Sequence, residues 1–295
     1  MRKMLIAAAA LLVVGYSLLA RAEDDWSKVG TVLGKPGTVM QGGVYRAGLP
    51  RSDLHVSVDG IVLKPTLALG GWLAFKTMGT EAMVMGDLVL TEDEVNPVMS
   101  RLEESGIEIT ALHNHLLRAT PNTMYMHVFG QGDPVKLAAA LHEALGASHT
   151  PLQAPSSGAS QPPGIDLDTA AVDQALGAKG KVAGGVYQFS IPRGDTISDG
   201  GMAVPAAMGS ASAINFQPLG SGKAAIAGDL VLLAQEVNPV LRALRENGIE
   251  VTAVHNHMLE DQPHVFFMHF WAHDDAIRLA KAMRAALDKT AVVAQ

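Results

Sequence analysis

Six histidines fall into two sets of three: His113-Asn114-His115 is followed by His127, and His255-Asn256-His257 is followed by His269. In an extended strand residues i and i+2 share a face, so His255 and His257 project together with Asn256 opposite. If the chain then turns back near Asp261, His255 faces Phe267 and His269 lies diagonally beyond it on the same face. In the first set His113 faces Tyr125, with His127 diagonal. Diagonal neighbours have Cβ atoms roughly 7–8 Å apart, within reach of a shared ligand. Two imidazoles from one strand and a third from its neighbour form the pattern of a three-histidine site for Zn²⁺ or another divalent transition metal, with a position left open for water. The alternative is that the histidines cap strand ends and bond to backbone. A one-residue bulge would turn His127 and His269 to the opposite face and weaken the metal reading.

Other repeated polar residues carry two readings each. Glu94 follows Thr91 by three positions, which a capping box explains. Glu236 has Leu233 at the matching place, so Glu94 and Glu236 are candidates for a fourth ligand or a general base, against the plainer role of acids at a helix start. Asp87 and Asp229 follow Gly86 and Gly228 and read as turn residues. Pro50-Arg51-x-Asp53 and Pro192-Arg193-x-Asp195 read as internal Arg–Asp pairs fixing a strand end, with anion binding as the other option. Met124, Met126, Phe266, Phe267 and Met268 read as core. No G-x-S-x-G, GxGxxG, P-loop or cysteine nucleophile occurs.

These residues sit in a duplication. Gly42-Gly43-Val44-Tyr45 recurs as Gly184-Gly185-Val186-Tyr187, and Glu94-Val95-Asn96-Pro97-Val98 as Glu236-Val237-Asn238-Pro239-Val240. The offset is that of the histidines, 142 residues (255 minus 113), and slips only between about Lys64 and Thr80. Residues 23–146 and 166–290 are therefore two repeat domains, joined by a Pro/Ser-rich linker over 147–165. Each repeat predicts an opening helix, a strand from Val44 (Val186), a variable β-rich stretch and a strand Ala82–Leu90 (Ala224–Leu233). A helix from Asn96 (Asn238) closes at Gly106 (Gly248). Strands Ile107–His115 and Met124–Phe129 (Ile249–His257 and Val265–Trp271) follow, and then a last helix after Asp133 (Asp275). Helices among antiparallel strands predict an α+β fold, two tandem copies each with an antiparallel sheet and helices on one face.

The N-terminus reads as a signal peptide over residues 1–22: Arg2 and Lys3, an apolar run Leu5–Leu19, and Ala20-Arg21-Ala22 before Glu23. The mature protein is expected to be exported, periplasmic or secreted, with no membrane span after cleavage. Of 295 residues 48% are hydrophobic and 17% charged, a globular composition. Cleavage removes Arg2, Lys3 and Arg21 from 22 basic residues and none of 29 acids, taking the net charge from −7 to −10. An acidic chain without a basic stripe argues against nucleic acid as a partner, and so against an endonuclease reading of His-Asn-His. With Cys at 0 the chain has neither a disulfide nor a lipid-bearing cysteine.

The pattern G-D-L-V-L, E-V-N-P-V, G-I-E-[IV]-T-A-[LV]-H-N-H and M-H stands at Gly86–Leu90, Glu94–Val98, Gly106–His115 and Met126-His127. It returns at Gly228–Leu232, Glu236–Val240, Gly248–His257 and Met268-His269. It resembles the LppY/LpqO family of bacterial secreted proteins and lipoproteins, a domain of unknown function. The resemblance implies an exported context and no reaction. The functional expectation is a metal or small polar ligand on His113, His115 and His127, and on His255, His257 and His269, with metal-assisted hydrolysis as the chemistry if there is any. The alternative is a non-catalytic envelope module with structural histidines. A further option is that one copy alone is active, since Ser198–Ser212 has diverged from its counterpart.

Overall fold

The computed structural model describes residues 26–153 and 164–292. The expected signal segment, residues 1–22, lies outside them, as does most of the expected linker. Repeat one runs α1 (Ser27–Leu33), β1 (Thr38–Met40), β2 (Val44–Pro50), β3 (Ser57–Val58), β4 (Ile61–Val62), α2 (Pro65–Ala68), β5 (Gly70–Met78), β6 (Glu81–Thr91), α3 (Glu92–Glu104), β7 (Glu108–His113), β8 (Thr123–Gly132) and α4 (Pro134–Leu145). Repeat two runs α5 (Thr169–Leu176), β9 (Lys181–Ala183), β10 (Val186–Pro192), β11 (Ser198–Asp199), β12 (Met202–Ala203), a 3₁₀ turn (Ala206–Met208), β13 (Ala211–Gly220), β14 (Lys223–Leu233), α6 (Ala234–Glu246), β15 (Glu250–His255), β16 (Val265–Asp275) and α7 (Ala276–Leu287). Each repeat forms one antiparallel sheet, in the orders β1-β2-β5-β6-β8-β7 and β9-β10-β13-β14-β16-β15. The α+β expectation of two tandem copies is met.

Alternation along the strands sends side chains to two different layers. In β8, Met126 and Val128 join the core under α1, α3 and α4, while Tyr125, His127 and Phe129 point the other way. In β16, Met268 and Phe270 face the helices, and Phe267, His269 and Trp271 the opposite side. Those opposite faces meet. One shared cluster packs Leu63, Leu67 and Leu69 of repeat one on Ala225, Ala227 and Trp271 of repeat two. The other packs Ile197, Val204 and Met208 of repeat two on Val44, Ala74 and Met85 of repeat one. The variable β-rich stretch is thus a reciprocal clasp, each copy covering the other's sheet. The register slip has a local cause: one residue fewer separates β10 from β13 than β2 from β5, and a bulge between Pro218 and Gly220 restores the offset.

Helix α3 begins a turn earlier than expected. Thr91 and not Asn96 precedes it, because the Glu94 carboxylate accepts the Thr91 N–H at 2.9 Å and acids fill the first turn. Pro97 therefore lies inside the helix. In repeat two Glu236 accepts the Leu233 N–H at 2.7 Å, so half the capping box survives without a capping hydroxyl. The residues after α4, expected as linker, start by packing on repeat one: the His149 N–H reaches Glu94 Oε1 at 2.8 Å, Lys35 binds the carbonyls of Pro151 and Gln153, and Leu152 touches the core. The Ala291 N–H does the same for Glu236 at 3.0 Å.

Both glutamates also hold an arginine. Arg51 gives Nη1 to Glu94 Oε2 at 2.7 Å and Nη2 to Asp53 at 2.8 Å, and Arg193 repeats this with Glu236 (2.6 Å) and Asp195 (2.6 Å). Burial alone would raise the Glu94 pKa, but hydrogen bonds from Arg51, His149 and Thr91 outweigh it and hold the carboxyl near 2. Glu94→Gln leaves the buried Arg51 with the half-buried Asp53 as its remaining counter-charge and is expected to cost about 3 kcal/mol at neutral pH. An unfolded glutamate titrates near 4.5 and the folded one near 2. The stabilisation is therefore complete above pH 4.5 and fades as pH falls toward 2. Thermal unfolding of parent and variant across that window checks it: their midpoints should converge on acidification, and a pH-independent gap refutes the ion-pair account.

Candidate metal centre

The hairpin register matches expectation: His113 pairs with Tyr125 and His255 with Phe267, while His127 and His269 pair with Ala111 and Ala253. Each hairpin does contain a bulge. It falls between Ile109 and Ala111, and between Val251 and Ala253, beyond the third histidine, so the three imidazoles stay on one face. His115 and His257 lie just past the strands, which end at His113 and His255.

The two sets are one. The His113 and His255 rings stack with centroids 3.5 Å apart, His115 stacks on His269 at 3.8 Å, and His127 on His257 at 3.6 Å. The offset of 142 maps the first pair onto itself and exchanges the other two, so the cluster straddles a pseudo-twofold axis between the repeats. Candidate ligand atoms of His113, His255, His257 and His269 all lie within 4.8 Å of one another, as do those of His113, His115 and His127. These groupings could hold a metal ion, and the first draws on both repeats.

Tautomers follow from the partners. Nδ1 of His113, His255 and His269 meets the carbonyls of Asn114 (3.2 Å), Asn256 (3.3 Å) and Gly228 (2.9 Å). A carbonyl only accepts, so Nδ1 carries the proton and Nε2 presents a lone pair. All six Nε2 atoms are buried without a hydrogen-bond partner. Burial, reinforced by neighbouring imidazoles, lowers the His113 pKa to about 3; burial alone lowers that of His255 to about 4, and the other four fall well below the ordinary value. Neutral imidazoles with backbone-held Nδ1 and converging Nε2 are the form that ligates transition metals.

The structure adds two residues that the sequence reading placed in turns. Asp87 and Asp229 lie in mid-strand, paired across the ladder with His127 and His269. Asp87 Oδ1 stands 3.7 Å from His127 Nε2, and Oδ2 stands 4.0 Å from His115 Nε2. Those gaps exceed a hydrogen bond and approach the span of two ligand bonds of about 2 Å each. Burial pushes the Asp87 carboxyl up to about 7, against the pull of Arg46; burial and then repulsion from Asp87 push Asp229 well up. Asp87 Oδ1 and Asp229 Oδ1 are buried and unpartnered too. A signal existed: past Glu81 and Lys223 at the strand starts, each is the one charged residue in an apolar run, at the repeated position. Glu94 and Glu236, by contrast, are engaged by arginine and backbone and do not line the space above the histidines.

That space is a cavity of about 530 Å³ between the repeats, reaching His115, His127, His257, His269 and both aspartates. The family described as Domain of Unknown Function (DUF1259) matches residues 27–147 and again 170–289. The chain belongs to this family. No curated protein matches it. Among solved structures it is similar to the trimeric bacterial microcompartment shell protein PduB (12% identity, 87% of this chain and 91% of that one, TM-score 0.22). It is also similar to EtuB from Clostridium kluyveri (10%, 86% and 91%, 0.20). Scores this low carry nothing about the site. Among the described residues of this DUF1259 chain, no helix is long and apolar enough to cross a membrane.

The row that carries the ligands tolerates no side chain at Gly228: a Cβ there would stand 2.0 Å from the Ala213 carbonyl oxygen. Gly228→Ala is expected to force β13 from β14, displacing Asp229 and the carbonyl that holds His269, at a cost of about 3 kcal/mol or more. Urea unfolding checks this, and a variant with the parent's midpoint would show that the ladder yields freely.

Proposed function

We propose that the two repeats jointly bind a divalent transition-metal ion, Zn²⁺ or a relative, through the shared histidine cluster. The carrying observation is that six imidazole Nε2 atoms and two carboxylate oxygens are buried together with no hydrogen-bond partner for any of them. Such groups cost about 1–3 kcal/mol each when left unsatisfied, and a bound cation satisfies those that ligate it. Structural histidines spread both ring nitrogens onto backbone; here the Nδ1 atoms of His113, His255 and His269 meet a carbonyl, and none of the six Nε2 atoms does. His113 with His255, His257 and His269 supplies four nitrogen donors, and His115, His127, Asp87 and Asp229 border the cavity from which a small molecule would approach. An ion in that place supplies Lewis-acid chemistry and activation of water, so the activity proposed is metal-assisted hydrolysis of a small polar substrate. With the donors split between copies, the copies act as one unit. Export, and membership of the LppY/LpqO group, complete the proposal; they rest on residues 1–22 and on the repeated motifs.

Metal analysis and thermal unfolding test it. Metal-stripped protein should take up Zn²⁺ or Co²⁺ stoichiometrically, and ion at a hundredfold excess over its dissociation constant should add about 2.7 kcal/mol of stability. His113→Ala and His255→Ala, one in each repeat, should each abolish high-affinity uptake by the whole chain. Uptake that merely halves in each variant would mean two independent sites. No uptake, with unchanged unfolding in the presence of metal, ends the metal reading.

A further inference from the structure

The cavity is not symmetric although the repeats are. Arg46 on β2 lines it, its Cζ lying 4.2 Å above the Trp72 ring and its Nη1 donating to the Ala207 carbonyl at 2.6 Å. The equivalent of Arg46 is Gln188, whose Nε2 donates to the Thr66 carbonyl at 2.9 Å. Both side chains tether the short helical turn of the other repeat. An uncharged amide suffices for that duty in repeat two, so the charge of Arg46 serves something else.

We propose that Arg46 anchors a small anion, a carboxylate or a phosphate, in the cavity beside the histidine cluster. The buried arginines Arg51 and Arg193 have carboxylate partners, Glu94 and Glu236. Among the described residues Arg46 has none, and Asp87, whose field it feels, makes no ion pair with it. Its remaining N–H groups form the planar fork that carboxylates and phosphates accept in pairs. Lys181 is a second cation on the wall, set against Asp87 and Asp229, whose charge an ion at the histidines takes up. The bulk of Trp72 holds the guanidinium in place. Its counterpart in the ladder is Ala213, which with Ser190 and Ala211 leaves room on the repeat-two side for the body of the ligand. The cavity volume is in the range of small-molecule sites. The inference rests on the metal reading, because the anion is placed between Arg46 and the ion.

The test is calorimetric titration of the Zn²⁺-loaded full chain with inorganic phosphate and, separately, with acetate. Arg46→Gln installs what repeat two already uses, so the tether to Ala207 and the fold should persist, which circular dichroism and metal content verify on the same samples. Loss of a charge-assisted pair should weaken binding of the anion by about tenfold or more at unchanged metal stoichiometry. Arg46→Lys should recover part of it. Tighter binding of phosphate or of acetate tells which headgroup the anchor reads, and either supports it. Equal affinity in parent and Arg46→Gln overturns the anchor and leaves the metal reading standing. A parent that takes up no Zn²⁺ overturns both, and the metal analysis shows which has happened.

Discussion

Six imidazole Nε2 atoms buried together without a hydrogen-bond partner set the terms for the rest of this fold. Protonation would relieve the missing hydrogen bonds but bring positive rings within 4 Å of each other, and burial disfavours that charge from the outset. The rings therefore stay neutral and stacked, those of His113, His255 and His269 held by Nδ1 bonds to carbonyls and all of them by the sheets behind. The arrangement needs both sheets at once: each repeat's variable stretch packs on its own sheet and on that of the other repeat, closing both. Packing between the copies and assembly of the site are the same event.

The Arg–Glu pairs show how the scaffold tolerates this. Glu94 and Glu236 tie together a strand end, a helix start and the segment after the last helix, so the periphery of each repeat is cross-braced far from the axis. That bracing leaves the interface free to carry polar groups with no partner of their own. Strain of this kind collects where a ligand is expected, while local rules are obeyed elsewhere.

Much of this was legible in the sequence. The duplication fixed the number of domains, the period of two placed three histidines on one face, and the hairpin register followed because both bulges lie beyond His127 and His269. The start of α3 was misplaced because Asn96-Pro97 imitates a cap, whereas Glu94 satisfies the helix end a turn earlier. The glycines before Asp87 and Asp229 imitate turns, although Gly228 is there to let two strands approach. The meeting of His113 with His255 had no local signal. It depends on which faces two sheets turn to each other, a long-range outcome that spacing within one repeat does not encode. Arg46 was missed for a related reason: its meaning emerges only beside Gln188, once both are seen to bind the opposite copy.

The reciprocal clasp makes the chain an intramolecular version of a twofold dimer. A dimer of identical subunits must place the same residue at both ends of its axis, and any change appears twice. Joined in one polypeptide, the halves are released from that identity and can diverge separately. Arg46 opposite Gln188, and Trp72 opposite Ala213, are substitutions that only a fused pair can make one at a time, turning a twofold-symmetric cleft into one with a head and a tail.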